Sequence, residues 1–94
     1  MWRFVDGAAG KSRHEHAQWM KEHLEQLTSV IPEIRSLEVG VNTNTGDMAY
    51  DAVLISTFDD AEAMKRYKTH PAHQTISNYC KQVRESRTVV DYEV

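Results

Sequence analysis

Cysteine, positive charge and long apolar runs are all scarce in this 94-residue sequence, and each scarcity excludes a class of protein. The lone cysteine, Cys80, excludes an internal disulfide and a thiolate-rich metal site, and we interpret it as a small buried hydrophobic residue. No apolar run approaches the roughly 20 residues that span a bilayer, and the N-terminus lacks the apolar core of a signal peptide. We therefore expect no membrane partner and a cytoplasmic location.

The formal net charge is -3, and the lysines and arginines are scattered along the chain rather than gathered into a stripe. This pattern argues against nucleic acid as a partner. The length predicts one domain, residues 1–94, and a chain of this size buries only about two thirds of the surface that it exposes when unfolded. A second copy that covers an apolar face would therefore stabilise it.

The first part of the sequence predicts a strand and then a helix. Met1–Val5 is apolar and aromatic, and the loop-forming segment Asp6–Gly10 closes it. A capping box, Ser12–Glu15, starts a helix that Pro32 ends. The inward stripe of this helix steps by four, three and four residues through Met20, Leu24, Leu27 and Ile31. Its charged residues, including Lys21, Glu22 and Glu25, are interpreted as a solvated face.

Two strands joined by a turn are predicted next. Apolar residues alternate with Ser36, Glu38 and Gly40 at Leu37, Val39 and Val41, and Asn42–Asp47 has turn chemistry. The following strand, Tyr50–Phe58, is apolar on both sides: Ala52, Leu54 and Phe58 lie on one, Val53 and Ile55 on the other. Both faces of this strand need cover.

The last part of the sequence predicts two helices and a strand. Asp59–Glu62 is interpreted as a second capping box, which opens a helix whose inward residues are Ala63, Met64 and Tyr67. A third helix begins at Pro71 with His70 as its cap, and its inward stripe contains His73, Ile76, Cys80 and Val83. The β-branched segment Arg87–Val94 predicts a closing strand.

The predicted order, β-α-β-β-α-α-β, is typical of a ferredoxin-like α+β sandwich with a four-stranded antiparallel sheet. Helices cover only one face of such a sheet. The second apolar face of the central strand, Ala52–Phe58, then requires another subunit. We therefore predict a homodimer that packs sheet to sheet.

Four segments together resemble the stress-responsive A/B barrel domain family, Dabb: Ile31–Gly40, Tyr50–Leu54, Tyr67–Gln74 and Val89–Tyr92. The resemblance implies a protomer that closes against its mate into a dimeric α+β barrel. Members of the family usually carry several more residues before the segment that Trp2–Phe4 resembles, often with a histidine on the first strand. That histidine has no counterpart here, so we expect no function that depends on it.

The resemblance also implies a candidate site. A plant polyketide cyclase of this superfamily uses a tyrosine and a histidine, without a cofactor, for an intramolecular aldol condensation, and these match Tyr67 and His73. In those roles His73 is the base and Tyr67 the donor. The helical stripes independently direct both residues inward. A strand histidine of that enzyme is replaced by Ala52.

Three functions remain open from the sequence. The first is a Dabb homodimer of unassigned, stress-linked role, with a pocket between sheet and helices lined by His70, Tyr67 and His73 for a small apolar or carbonyl-containing ligand. The second is a cofactor-free enzyme with cyclase-like or monooxygenase-like proton chemistry. The third is an assembly protein in which Tyr67 and His73 are ordinary core residues and His70 is only a cap.

No cofactor and no metal are expected. His14 and His16 lie about 200° apart around a helix, and His16 and His23 stand about 10 Å apart along it, so neither pair can chelate an ion. His70 and His73 could approach a common ion but lack a definite carboxylate partner.

Overall fold

The computed structural model, which describes residues 1–43, 46 and 49–93, contains four strands and three α-helices in that part of the chain. The strands are β1 (Trp2–Phe4), β2 (Ser36–Val41), β3 (Ala52–Thr57) and β4 (Arg84–Arg87). The helices are α1 (Arg13–Glu25), α2 (Ala61–Thr69) and α3 (Pro71–Val83), with 3₁₀ helices at Ala8–Gly10 and Gln26–Ser29. The predicted order of strands and helices is confirmed. No helix within these described ranges is long and apolar enough to cross a bilayer.

The strands form one antiparallel sheet in the order β2-β3-β1-β4. The β2–β3 ladder is the longest, since it runs from the Ser36–Thr57 pair to the Val41–Ala52 pair. The first strand pairs with β3 only where Trp2 faces Ala52. This topology confirms the predicted ferredoxin-like α+β sandwich.

The two faces of the sheet differ in burial. On the face toward the helices, Trp2, Phe4, Val39 and Ala52 are buried. On the outer face, Ile55 is 58% exposed, and half-buried Val53 stands opposite Gly40. Side chains alternate between the two faces of a strand, and β3 has apolar residues on both faces. One apolar face of β3 is therefore uncovered in the single chain.

The start of α1 was predicted correctly. The Ser12 hydroxyl accepts a hydrogen bond from the Glu15 N–H at 3.2 Å, and the Ser12 N–H donates to the Glu15 carboxylate at 3.1 Å. Two orphan N–H groups at the helix end are satisfied by this reciprocal pair. The residues of the capping box are neighbours along the chain, so the sequence alone was sufficient to predict this helix start.

The predicted end of α1 at Pro32 was wrong, since the helix ends at Glu25 and tightens into a 3₁₀ turn. The hydroxyls of Thr28 and Ser29 donate to the carbonyl oxygens three residues earlier, at 3.0 and 2.9 Å. Such side-chain bonds compete with the α-helical ladder. The four residues of the predicted stripe are nevertheless buried: Met20, Leu24, Leu27 and Ile31.

The sequence predicts that the charged face of α1 is solvated, but part of this face contacts β2. The Lys21 ammonium lies 2.9 Å from the Glu25 carboxylate and donates to the Val39 carbonyl oxygen at 2.9 Å. The same carboxylate accepts from the Val39 N–H at 3.2 Å, and these two donors hold the pKa of Glu25 below its usual value. This ion pair therefore docks α1 onto β2.

The second capping box was wrong by one residue. Asp60, not Asp59, caps α2, with its carboxylate accepting from the Ala63 N–H at 2.8 Å. The Asp59 carboxylate instead lies 2.6 Å from the Arg35 guanidinium. Either aspartate suits a cap by its chemistry, and the position of Arg35 decides which one is free to do so.

The closing strand was also misplaced, because β4 covers Arg84–Arg87 rather than Arg87–Val94. Arg87 pairs with Trp2, and the Thr88 N–H donates to the Met1 carbonyl oxygen at 3.0 Å. The ladder with β1 ends there, and residues 88–93 are not strand. The predicted turn, Asn42–Asp47, lies partly outside the described residues.

A buried histidine ties three elements together. His16 has no exposed surface, and its Nε2 lies 2.9 Å from the Ala8 carbonyl oxygen. Since a carbonyl only accepts, Nε2 carries the proton, and in the neutral ring Nδ1 accepts from the Tyr79 hydroxyl at 2.9 Å. The bonds join the first 3₁₀ helix, α1 and α3. The sequence had assigned His16 no such role.

Candidate functional site

The candidate residues meet where α2 ends and α3 begins. Tyr67 is in the last turn of α2, His73 is in the first turn of α3, and His70 lies between the helices. Pro71 fixes this break, because it lacks an N–H and so favours the first position of a new helix. The junction therefore presents all three side chains from one short segment.

His70 caps α3, as predicted, and it is also the C-terminal cap residue of α2. Its N–H donates to the Tyr67 carbonyl oxygen at 3.2 Å, and its Nδ1 accepts from the Ala72 N–H at 3.1 Å. Because Nδ1 accepts, the proton of the neutral ring is on Nε2. Only that N–H remains for contact with another molecule, and a role for His70 in ligand binding stays a prediction.

Tyr67 is buried with its hydroxyl unpaired. The residue is 4% exposed, and its ring lies 5.0 Å from that of Phe58 and 4.4 Å from that of His73, centroid to centroid. Its hydroxyl has no hydrogen-bond partner among the described residues. Burial raises the pKa of Tyr67 to about 12. The phenol therefore keeps its proton at neutral pH and can donate a hydrogen bond there.

His73 is half-buried and has one ring nitrogen committed. Its Nδ1 lies 3.2 Å from the Lys68 carbonyl oxygen, which can only accept, so Nδ1 carries the proton. Nε2 of the neutral ring then holds a lone pair. Burial lowers the pKa of His73, although the bond to the Lys68 carbonyl acts in the opposite direction. The ring is therefore a neutral base near pH 7.

A neutral base and a protonated phenol in ring contact can serve one type of reaction well. The base can remove a proton next to a carbonyl group, while the donor stabilises the oxygen that gains negative charge. The pair needs no cofactor for that chemistry. The family resemblance implied these roles for the two residues, and the roles stay a prediction.

A cavity among the described residues lies away from this junction. Its volume is about 400 Å³, and it lies near the β2–β3 connection. Strand and loop residues line it, and no helix contributes: Met1, Gly40, Val41, Asn42, Thr43, Tyr50, Ala52 and Val53. It touches none of the three candidate residues. This cavity is therefore not the pocket that was predicted between the sheet and the helices.

Metal ligands do not converge in the described ranges. No group of three or more histidine, cysteine, aspartate or glutamate side chains there could hold an ion. His70 and His73 each commit Nδ1 to a backbone group, as described above. The junction is therefore organised for hydrogen bonding rather than for chelation.

One charged residue near the site was missed by sequence reasoning. Arg87 lies at the end of β4, and its positive charge lowers the pKa of both Tyr67 and His73, against the larger effect of burial on Tyr67 and together with it on His73. The sequence had placed Arg87 at the start of a strand rather than at its end. No local pattern links it to residues fourteen and twenty positions away, so only the fold could reveal the proximity.

Comparison with known proteins gives a family match over the whole chain. The model of the stress-responsive A/B barrel domain, Dabb, matches residues 1–94. An uncharacterized protein of Streptomyces coelicolor is 42% identical over 53 residues, which is 56% of this chain and 55% of that protein. The match thus spans about half the length of this curated relative.

Solved structures agree on the fold. A Bacteroides fragilis protein, described as dimeric, ferredoxin-like and of unknown function, is 30% identical over 99% of this chain and 89% of its own, with a TM-score of 0.77. A Thermobifida fusca protein, also described as dimeric and ferredoxin-like and of unknown function, is 18% identical over 100% and 85% of the two chains, with a TM-score of 0.82. The second likeness concerns the fold alone.

Proposed function

This chain belongs to the stress-responsive A/B barrel domain family, Dabb, and we propose that it is a homodimer that binds a small carbonyl-containing molecule at Tyr67 and His73. The observation that carries the proposal is the buried, unpaired hydroxyl of Tyr67. Leaving a buried hydroxyl without a partner costs stability, and most buried polar groups are paired. A ligand oxygen would supply the missing partner.

The two rings support proton transfer as well as binding. His73 offers Nε2 as an acceptor because its Nδ1 is held by the Lys68 carbonyl. Tyr67 retains a donor beside it, with the ring centroids 4.4 Å apart. A ligand whose carbonyl oxygen meets the Tyr67 hydroxyl would place an adjacent C–H near this base. The proposed reaction is enolisation, with the proton moving from carbon to His73 and the enolate held by Tyr67.

Proton exchange on a simple ketone tests this reaction. We would follow exchange of the methylene protons of acetoacetamide in D₂O by ¹H NMR, with and without protein. The wild type should accelerate exchange, and His73→Ala should lose about 10²-fold or more of that acceleration, the usual scale of general base catalysis. Tyr67→Phe should lose part of it, since only the donor is removed.

The same experiment separates the other functions. Acetoacetamide that shifts the NMR signals of Tyr67 and His73 without faster exchange would indicate a binding protein and exclude the enzyme. No shift and no acceleration would leave assembly as the function and would contradict the proposal. His23→Ala is a matched control, because that ring also donates Nδ1–H to a backbone carbonyl but stacks on Trp19 instead.

The outer face of the sheet supports the homodimer. Ile55 is 58% exposed in the middle of a central strand, and Gly40 leaves half-buried Val53 beside it without a facing side chain. An apolar patch on a central strand is unusual for a monomer. The Bacteroides fragilis relative, which is 30% identical, is described as dimeric. A second copy laid sheet to sheet is therefore the proposed cover for Ala52–Phe58.

A charge on that face should split the dimer. In sedimentation equilibrium the wild type should have about twice the 10.8 kDa chain mass, and Ile55→Lys should have the chain mass itself. Val30→Lys is the control, because Val30 is 52% exposed but follows the Gln26–Ser29 3₁₀ helix and belongs to no strand of the sheet. A wild type that sediments as a monomer, or an Ile55→Lys variant that stays dimeric, would contradict this mode of assembly.

A further inference from the structure

The position of Arg87 on the sheet places its side chain on the side of the candidate site. Arg87 is the residue directly opposite Trp2 in the β1–β4 ladder. Side chains of directly opposed residues share a face of the sheet, and Trp2 is buried on the face that the helices cover. Arg87 therefore projects toward the helices rather than toward the proposed dimer face, although it remains exposed at the sheet edge.

The charge of Arg87 reaches the proton-transfer pair. Besides lowering the pKa of Tyr67 and His73, it also lowers the pKa of the Cys80 thiol, against the larger raising effect of burial there. These three groups come from both helices of the junction. These effects on both helices agree with the direction that the β1–β4 ladder gives to the Arg87 side chain.

This charge is not neutralised by a carboxylate in the described part of the chain. None of the ion pairs found there includes Arg87. Asp91, four residues later, lies 3.9 Å from the Lys68 ammonium instead. Arginine is the side chain best suited to hold a carboxylate, because its planar N–H groups match the two oxygens.

The three polar groups are graded from the interior to the solvent. The Tyr67 hydroxyl is buried, the His73 ring is half-buried, and Arg87 is exposed. A ligand that enters the site would meet the guanidinium first and the phenol last. Its buried end would need an oxygen that accepts a hydrogen bond, and its outer end would meet a positive charge.

We propose that the site selects an oxo acid, with the ligand's carboxylate held by Arg87 and its carbonyl oxygen by the Tyr67 hydroxyl. This inference rests on the proposed binding function and adds the class of ligand to it. The carboxylate of the ligand contributes to binding and takes no part in the proton transfer. Arg87 is thus a specificity-determining residue, while His73 acts on the C–H between the two ligand groups.

Two probes of equal size test the role of charge. Acetoacetate and acetoacetamide share the same carbon skeleton and the same ketone, but only the first is an anion. The wild type, titrated by ¹⁵N-¹H NMR, should bind acetoacetate about tenfold more tightly, in keeping with a charge-assisted hydrogen bond. Arg87→Gln should bind the two probes about equally.

Two further variants keep the test decisive. Arg66→Gln removes the same charge from an exposed residue of α2 that pairs with Glu33, so it should keep the preference for acetoacetate. Arg87→Lys retains a positive charge and should keep part of the preference, which guards against an Arg87→Gln variant that fails to fold. Both variants are checked for native NMR spectra before titration.

The outcomes distinguish this inference from the function on which it rests. Equal affinity of the wild type for both probes, or a preference that survives in Arg87→Gln, would overturn the oxo acid and leave carbonyl binding intact. A preference lost equally in Arg66→Gln would also overturn it, because general charge would then explain the result. Failure of both probes to bind would overturn the proposed function and this inference with it.

Discussion

Asp51 and Arg13 form an ion pair of 2.9 Å between the start of β3 and the start of α1. The same carboxylate accepts from the Phe4 N–H at 2.7 Å. Since β1 pairs with β3 only at Trp2 and Ala52, the Asp51 side chain supplies a bond where the ladder has none. One carboxylate thus joins the first strand to the first helix.

Asp51→Ala should therefore destabilise the fold. We expect a loss of about 2 kcal/mol in the free energy of unfolding, the usual scale for a partly buried hydrogen bond to a charged group. Asp51→Asn should lose less, because its amide oxygen can still accept from Phe4. Urea denaturation followed by circular dichroism measures both.

Asp59→Ala is the matched control for Asp51→Ala. The Asp59–Arg35 pair is exposed on both sides and holds no strand N–H, so its loss should change stability little. Equal effects of the two substitutions would show that the bond to the Phe4 backbone is unimportant.

Removing the Tyr67 hydroxyl should stabilise the protein. Tyr67→Phe leaves the ring in place and deletes a buried group that has no partner among the described residues, so unfolding should become harder by about 1 kcal/mol. Tyr79→Phe makes the same chemical change but should have the opposite sign. Its hydroxyl donates to buried His16, which would be left unsatisfied, at a cost of about 1–3 kcal/mol.

Chemical denaturation of the two variants under one condition provides the measurement. A Tyr67→Phe variant less stable than the wild type would mean that its hydroxyl has a structural partner. The argument that a ligand supplies the missing partner would then lose its support.

His73 should make stability depend on pH in a defined direction. Its folded pKa lies below the ordinary value of about 6.5, so as pH falls the unfolded chain takes up a proton before the folded one does. The contribution of neutral His73 to the free energy of unfolding is complete above about pH 6.5, and it is lost progressively as pH falls toward the lowered pKa. His73→Gln should remove it, which would flatten the change in urea midpoint between about pH 7.5 and pH 5. An unchanged pH dependence in the variant would contradict the lowered pKa.

His70 should be replaceable by another cap. His70→Ala removes the acceptor of the Ala72 N–H and should cost about 1 kcal/mol, whereas His70→Asn should retain most of the stability. Thermal denaturation compares the two variants. If both lose equally, the imidazole makes a stabilising contact that an asparagine cap does not replace.

Local signals in the sequence were sufficient where a feature depends on neighbours along the chain. The capping box at Ser12, the restart at Pro71 and the cap at His70 each involve residues within four positions of one another. The alternation of side chains along Ala52–Phe58 was also sufficient to predict that this strand has an apolar residue on each face of the sheet. These features gave the order of elements, the ferredoxin-like sheet and the junction that holds Tyr67 and His73.

Errors arose where a distant residue decides between equal local choices. Asp59 and Asp60 are equivalent as caps until Arg35 engages one of them. The strand β4 contains Arg84–Arg87, a weak strand former, because pairing with β1 outweighs the β-branched residues that follow. The hydrogen bond between His16 and Tyr79 joins residues 63 positions apart, so no pattern within either helix could predict it.

Cys80 is a natural reporter of local opening of the fold around α3. It is the only thiol in the sequence, it is 3% exposed on α3, and burial raises its pKa, so the reactive thiolate is both hidden and scarce. An alkylating reagent can reach it only when α3 lifts from the sheet. The rate of that single modification therefore measures how often the helix carrying His73 detaches, without any label having to be engineered into the protein.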